Sequence, residues 1–437
     1  MATQSSTHAT QVLHRLRQDH PDISFIRLQW QDYSGVLRAR VLVIEYVISL
    51  VAEGKQFKAS PYAIECGVDN YVLPTTSHNG MHWLVPDWSS LRATASPGNA
   101  AVMCALNYTI PGSPAHDHLC PRQALLRVLR QAQEAWKLDF LVGFEVEFVV
   151  MKSSTSSTTP HRQSAGLGHY AVSGLRDPCY QYVEQCMHKL RDRGVIVHAL
   201  HTEGIRGQYE IVLGPLPPVQ AVDQLILVHH HLKDTFSRHD YKVTMSPKPI
   251  SSDPLANGQH MHLSLQPTCP SQEESFLAGI LKRLPSLCSF CLPQEISYER
   301  LGPYFAGDAV CWGTESRLVP IRKIKPGHWE LRCIDVTANM YITLAAILSA
   351  GLLGLAGKEP LTWPDVGDPK HEAQSRGEPL PQSLDDSLAA LAADADCLAT
   401  MIGRPMIDHY IDMKRFEISR LKEMDTQAVR ELLIEIF

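Results

Sequence analysis

Residues 141–150 read LVGFEVEFVV, and its two glutamates, Glu145 and Glu147, stand two apart in an apolar run of strand character. Side chains at i and i+2 of a strand point to one face, so these carboxylates lie side by side, with Phe144, Val146 and Phe148 on the other face. Like charges held this close repel, and burying either one unpaired is costly. The pattern recurs. HTEGIRGQYEI sets Glu203 and Glu210 around a glycine-punctuated turn, HMHLSL alternates His260 and His262, and GHWELRCIDV alternates Glu330 and Arg332. A single such pair is the ordinary signature of a solvated edge or an ion pair. Four strand-like segments among strongly apolar neighbours ask for more. Carboxylates with a few imidazoles and no thiolates suit hard or borderline cations such as Mg²⁺ and Mn²⁺.

A cationic stretch accompanies the acids. YERLGPYFAGDAVCWGTESRLVPIRKIKPGHWELR (298–332) carries Arg300, Arg317, Arg322, Lys323, Lys325 and Arg332. Arginine forks match phosphate and carboxylate geometry bidentately. On a surface strand they would make ordinary ion pairs; facing the same cavity as bound metal they would make a phosphoryl-transfer site.

The elements that must hold these residues follow from local pattern. At 437 residues the chain exceeds one ordinary core, so two domains are expected. The first hundred residues are strand-rich, and FIRLQWQDYSGVLRARVLV (25–43) reads as a hairpin turning at Gly35. The stretch NYTIPGSPAHDHLCPRQ (107–123) precedes a helix-like run, which sets the domain boundary near residue 112, giving 1–112 and 113–437. Helices and strands then alternate, with a polar low-complexity loop at 152–166, a Pro/Gly-rich loop at 359–382 and two or three closing helices. The apolar run at 341–357 is short for a membrane span and reads as a buried helix, whose GLLGLAG serves helix packing.

Composition narrows the function classes. Hydrophobic residues at 44% and charged ones at 20% fit a globular chain. A net charge of −6 with no basic block gives no reason to expect nucleic acid or a membrane surface as partner. The N-terminus lacks the charged-then-apolar order of a secretory signal, and eleven scattered cysteines fit reduced thiols, so the cytoplasm is expected. Cys288 and Cys291 form a lone CxxC with too few partners for zinc. His229, His230 and His231 point about 100° apart on a helix and read as surface and boundary residues. Trp312 and Trp329 could stack on a nucleotide or serve structure alone.

Taken together in order and spacing, GFEVEF, HTEGIRGQYEI, NGQHMHLSL, WGTESRLVPIR and WELRCIDVTANMY resemble the glutamine synthetase family of the class I type over nearly the whole chain. The resemblance implies an α+β protein: a small β-grasp N-terminal domain and a larger catalytic domain with an antiparallel sheet and flanking helices. It implies ATP with two to three Mg²⁺ or Mn²⁺, and a ring-shaped homo-oligomer with active sites between subunits. The family's first metal is held by three glutamates, matching Glu147, Glu203 and Glu210, and the second by Glu145, Glu330 and His260. Arg317 and Arg322 match arginines at the transferred phosphate and ATP, and Arg300 and Arg332 match those at the substrate carboxylate or phosphoryl group. Three further residues, His262, Ser264 and Lys325, fall where the family contacts ATP. Asp69 in GVDN is the match offered for the aspartate that binds ammonium from a neighbouring subunit.

The departures bear on the nucleophile. The family's flap carries a glutamate in a Pro-Gly-Tyr-Glu pattern; here PYFAGDAVCWG places Phe305 or Ala306 there, with Asp308 further on. Leu255 and Ala256 stand where an Asn-Gly helps hold glutamate. The AG flap and the WG…R strand that follows resemble fungal glutamine synthetase-like proteins and relatives that join glutamate to organic amines. The expected activity is thus an ATP-dependent carboxylate–amine ligase working through an acyl phosphate, joining glutamate or a related acid to an organic amine. A true glutamine synthetase using ammonium and a non-catalytic scaffold are the alternatives.

Overall fold

The computed structural model describes residues 6–77, 79–109, 117–152, 166–251, 256–368 and 377–437. The expected boundary near residue 112 and most of the loop at 152–166 lie outside them. Helix α1 (Ser6–Asp19) leads into a six-stranded sheet built from β1 (Phe25–Gln31), β2 (Leu37–Val43), β3 (Phe57–Ala59), β4 (Met81–Pro86), β5 (Arg92–Ala93) and β6 (Asn99–Thr109). Its order is β2-β1-β6-β4-β3, with β5 on β6; β1 and β6 run parallel, and α2 (Ile44–Ala52) follows β2. The β1–β2 hairpin forms as expected, its turn tied by Asp32, which accepts from Ser34 N at 3.0 Å and Val36 N at 2.9 Å.

Past α3 (Pro121–Trp136), a second sheet of eight strands holds every acid and imidazole of the expected metal set except Glu203, which follows β8 in the turn before β9. It comprises β7 (Asp139–Lys152), β8 (Val197–Thr202), β9 (Gln208–Leu213), β10 (Tyr241–Thr244), β11 (Gln259–Gln266), β12 (Trp312–Thr314), β13 (Ile321–Lys325) and β14 (His328–Leu331). The order is β12-β13-β14-β11-β7-β9-β8, with β10 on β7, and every pairing is antiparallel except β12 with β13. Helices α4 (Tyr180–Asp192) and α5 (Pro218–Phe236) lie between strands in sequence. Three more, α8 (Leu384–Ile402), α9 (Arg404–Leu421) and α10 (Thr426–Ile436), finish the chain.

The apolar run is α7 (Met340–Gly357). It is the one helix among the described residues long and apolar enough to cross a membrane, yet 83% of that window is buried inside the molecule, as a core helix requires. It packs on α6 (Pro270–Cys291) through Gly279 and Gly354: a Cβ built on Gly279 would meet Gly354 Cα at 2.7 Å, so only glycine admits this approach. Cys288 and Cys291 are buried within α6, and all eleven cysteines are free. Trp329 is likewise structural, buried and stacked on Phe276 at 5.9 Å. Asn339 caps α7 through Tyr341 N at 3.1 Å, while its amide donates to Asp32 O at 2.7 Å, so the hairpin of the small sheet is pinned to the start of the core helix. One expectation fails: His231 is not a surface residue but 1% exposed, because α5 turns that side of the histidine run into the core.

Candidate active site

Strand register turns the period-two pattern into a grid. Glu147 lies opposite Glu210, which lies opposite His201; Glu145 lies opposite His260; His262 lies opposite Glu330, which lies opposite Arg322. One rung further, Ser264 lies opposite His328, which is paired with Lys325. Phe144, Val146 and Phe148 are buried in the core on the reverse face. The alternation in sequence therefore has its physical cause: one face of β7 packs and the other does chemistry.

At the centre of the grid, Glu145 touches both imidazoles, with His260 Nδ1 at 3.2 Å from one oxygen and His262 Nε2 at 3.1 Å from the other. Burial alone would raise its pKa; the two histidines hold it well below the carboxylate range. His262 Nδ1 lies 3.0 Å from His328 Nε2. Burial first, with His262 and Lys325 beside it, pushes His328 down to about 4, so its ring is neutral. Glu330 receives Arg332 at 2.6 Å and Arg322 at 3.1 Å, and His260 stands 3.3 Å away. Although burial opposes ionisation, His260 and Arg332 keep its pKa low. Arg322 also pairs with Glu315.

A second cluster forms around β8 and β9. His201 Nε2 lies 3.1 Å from Glu210 and 3.4 Å from Glu203, and its ring stacks on Tyr170 at 4.5 Å. Burial, with Glu145 and Glu147 nearby, pushes Glu210 up to about 7 despite the hydrogen bond from His201. That is the electrostatic signature of too many acids in one place. Glu147 is placed differently. Its carboxylate accepts Gly258 N–H at 2.8 Å and Gln208 Nε2 at 3.4 Å, and His260 Nε2 is 3.7 Å away.

Three trios place donor atoms close enough to share an ion: Glu145, His262 and Glu330; Glu145, Glu210 and His260; and His201, Glu203 and Glu210. Carboxylate oxygens with one imidazole nitrogen, and no sulfur, fit Mg²⁺ or Mn²⁺. Neither expected set forms a trio as such: Glu145 and Glu330 share theirs with His262 rather than His260, and Glu203 and Glu210 share theirs with His201. Glu147 falls in none, though it lines the same cavity.

That cavity, about 690 Å³, is lined by Glu145, Glu147, Glu203, Glu210, His201 and His260 together with Arg300, Arg332 and Arg317, whereas Glu330, His262 and Arg322 are not among its lining residues. Arg300 is buried, donating to Ile334 O at 3.1 Å and Arg332 O at 3.4 Å, with Asp335 at 4.0 Å. Its Nε and those of Arg322 and Arg332 have no partner, a costly arrangement unless an oxyanion completes it. Arg317 sits exposed at the rim. Gly258 is wedged among these groups: a Cβ there would meet His260 Nε2 at 2.7 Å and Arg300 NH2 at 2.8 Å. Ser264 and Lys325 lie on the same face but beyond this cavity.

Part of the cavity lining is aromatic. Tyr304 and Phe305 line it, 74% and 40% exposed, whereas Ala306 is fully buried and does not. Asp308 is not among the lining residues, and Asp69 pairs with Arg420 at 3.1 Å away from it. Sequence reasoning missed His201, Tyr170, Gln208 and Tyr304 as lining residues.

Comparison with known proteins agrees with this geometry. Residues 118–432 match the glutamine synthetase catalytic domain. The protein fluG of Emericella nidulans is 30% identical over 99% of this chain, which spans 51% of that relative's length. The gamma-glutamylpolyamine synthetase GlnA3 of Streptomyces coelicolor is 28% identical, over 92% of this chain and 91% of its own. Among solved structures, a GmaS/ADP complex superposes with a TM-score of 0.81 over 98% of this chain and 100% of its own, at 23% identity. The chain belongs to the glutamine synthetase family, whose members are ATP-dependent ligases forming carbon–nitrogen bonds.

Proposed function

We propose that this chain joins the carboxylate of glutamate, or a closely related acid, to an organic amine at the expense of ATP. The observation that carries the reading is the meeting, in one cavity, of carboxylates and imidazoles with Arg300 and Arg332, whose Nε groups have no hydrogen-bond partner among the described residues, and with the aromatic side chains of Tyr304 and Phe305. Arg300 and Arg332 would receive the substrate carboxylate and the phosphoryl oxygens. Arg317 would meet the transferred phosphate, and Arg322, His262, Ser264 and Lys325 would follow the nucleotide along the sheet. The carboxylate oxygen attacks the γ-phosphorus, the bond to the ADP oxygen breaks, and an acyl phosphate results. The amine nitrogen then forms a bond to the acyl carbon, inorganic phosphate leaves, and the amine's proton passes to solvent. Divalent cations held by Glu145, Glu147, Glu203, Glu210, His260 and Glu330 would neutralise the triphosphate and the developing charge.

The reading extends to context. We expect a small N-terminal domain and a larger catalytic one, and a ring-shaped homo-oligomer as is typical of the family. The cytoplasm is the expected compartment, supported by the free state of all eleven cysteines. The test is ATP-dependent product formation from glutamate with ammonium and with a panel of amines, read by mass spectrometry and ADP release. A γ-glutamylamide from an organic amine is the expected product. Efficient glutamine formation with no amine accepted would replace this reading with plain glutamine synthetase.

A further inference from the structure

We infer that Asp335 is a positioning residue of this site: its buried carboxylate holds the Arg300 guanidinium at the angle that receives the substrate carboxylate. This rests on the proposed function, in which Arg300 meets that carboxylate. Arg300 ends the 3₁₀ turn Glu295–Arg300 and lays its guanidinium against the exit of β14. There Nη1 donates to Ile334 O at 3.1 Å and Nη2 to Arg332 O at 3.4 Å. Asp335 Oδ2, 4.0 Å from Nη1, is the one carboxylate oxygen within ion-pair reach of Arg300 among the described residues. On the cavity side Nη2 borders Gly258, where an added Cβ would meet it at 2.8 Å. Two carbonyls alone would leave the fork free to swing; a charge behind it does not.

The two oxygens of Asp335 have different partners. Oδ1 accepts Thr337 N–H at 2.9 Å and the Thr337 hydroxyl at 2.5 Å, closing the turn that follows β14. Such a turn needs only that oxygen. Oδ2 is buried and makes no hydrogen bond among the described residues, and the Ser297 hydroxyl beside the carboxyl pairs with the Thr337 hydroxyl at 3.4 Å instead. An unbonded charged oxygen in a fully buried side chain is costly, and Arg300 is the cation that offsets it. Burial pushes the Asp335 carboxyl up, and Arg300 is the largest influence opposing that rise. Asp335 is itself fixed from two directions. Its N–H donates to Cys291 O at the end of α6 at 3.3 Å, and Thr337 O packs so closely on Gly35 that a Cβ there would stand 2.3 Å away. The hairpin of the small sheet thus backs the turn that backs Arg300.

The experiment measures KM for glutamate and for Mg·ATP by hydroxamate formation, with hydroxylamine as the acceptor that traps an acyl phosphate whatever the natural amine. Asp335→Asn keeps an oxygen for Thr337 and removes the charge. It should raise KM for glutamate at least tenfold and KM for ATP less than threefold. Asp335→Ser, whose hydroxyl still accepts Thr337 N–H, carries the same expectation if the Asn variant does not fold. Arg300→Lys keeps its charge but has no fork to orient, so adding Asp335→Asn to it should change KM for glutamate less than threefold. A carboxylate that only shapes the fold would raise both KM values together, or act equally on wild type and on Arg300→Lys; either result overturns the assignment. An unchanged KM for glutamate in Asp335→Asn overturns it too, and leaves the proposed function standing. Wild type that forms no hydroxamate from glutamate or a closely related acid overturns both.

Discussion

Glu147 and Glu210 face each other directly across β7 and β9, two carboxylates at one rung of a sheet. Like charges so placed destabilise the pairing. Each is relieved locally, Glu147 by the Gly258 amide and Glu210 by His201, but Glu210 still has its pKa pushed up to about 7, by burial first and by Glu145 and Glu147 as well. The unrelieved remainder is the work a divalent cation would do.

Removing or adding metal should therefore change stability. An ion that binds only the folded chain at a hundred times its Kd stabilises it by about 2.7 kcal/mol, which for a chain this long raises Tm by roughly 3–5 °C. Thermal melts in EDTA and in excess Mn²⁺ measure this. Superimposable melts would count against the site.

Gly258 separates packing from chemistry. A methyl group there would stand 2.7 Å from His260 Nε2 and 2.8 Å from Arg300 NH2, both of which line the cavity. Gly258→Ala should lower kcat at least tenfold while costing only about 1–3 kcal/mol of stability, the usual range for overpacking. Wild-type turnover would mean that the neighbours yield freely.

Two of the cavity's three arginines should behave oppositely. Arg317 is exposed at the rim, so Arg317→Ala leaves Tm within about 1 °C and reduces turnover far more than ATP affinity, as a group used mainly in the transition state does. Arg300 is 1% exposed and bridges two carbonyls near Asp335. Arg300→Ala strands those partners and should cost about 3 kcal/mol or more of stability. Equal losses of Tm in both variants would refute the contrast.

Acid should loosen helix α5 already above the ordinary carboxylate range. Burial holds His229 at about 3 and His230 and His231 at about 4, below the ordinary value of 6.5. A lowered folded pKa means that the unfolded chain takes up protons first as pH falls. The stability these neutral rings contribute is complete above pH 6.5 and is lost progressively between about 6.5 and 4. Neither nitrogen of His231 has a partner, so His231→Leu removes a titrating group without breaking a hydrogen bond. Denaturant melts at pH 7 and pH 4.5 should show a smaller loss in the variant, with a difference on the order of 1–3 kcal/mol. An identical loss in both would exonerate His231.

Much of this site was legible because a strand repeats every two residues. E-x-E, H-x-H and E-x-R place their groups on one face whatever the neighbours do, and the grid confirms each pair. His201 and Glu203 carry the same alternation, H-x-E, so the signal was present there too; the eye was drawn to the glutamates of HTEGIRGQYEI. What alternation lacks is distance. It gives the face of Ser264 and Lys325 but not that they stand a rung beyond the cavity, because register belongs to the pairing of remote strands. Tyr170 was illegible for another reason: it lies outside the strands and helices, its ring placed by stacking on His201 of β8, and no period marks it.

The nucleophile is the last question, and Phe305 carries it. Ammonium is a small cation at neutral pH, so a ligase that uses it needs a carboxylate to bind it and to take its proton. Among the described residues, the flap offers the cavity Tyr304 and Phe305, aromatic and partly exposed, while Ala306 is turned into the core. Aromatic side chains lining the same cavity as Glu203 and Glu210 instead suit a carbon chain bearing an amine, with the chain packed on the rings and the nitrogen held toward the acids. Phe305→Ala should then lower kcat/KM for a large primary amine by roughly 10- to 100-fold, as removal of apolar contact worth about 1.5–3 kcal/mol requires. Phe305→Glu places a carboxylate where the ring stood; it should depress the organic amine further and raise glutamine formation from ammonium above the wild-type level. Measuring both products from glutamate and ATP in competition assays decides the matter. If Phe305→Ala leaves the amine's kcat/KM unchanged and Phe305→Glu leaves the product ratio unchanged, the acceptor does not meet this ring.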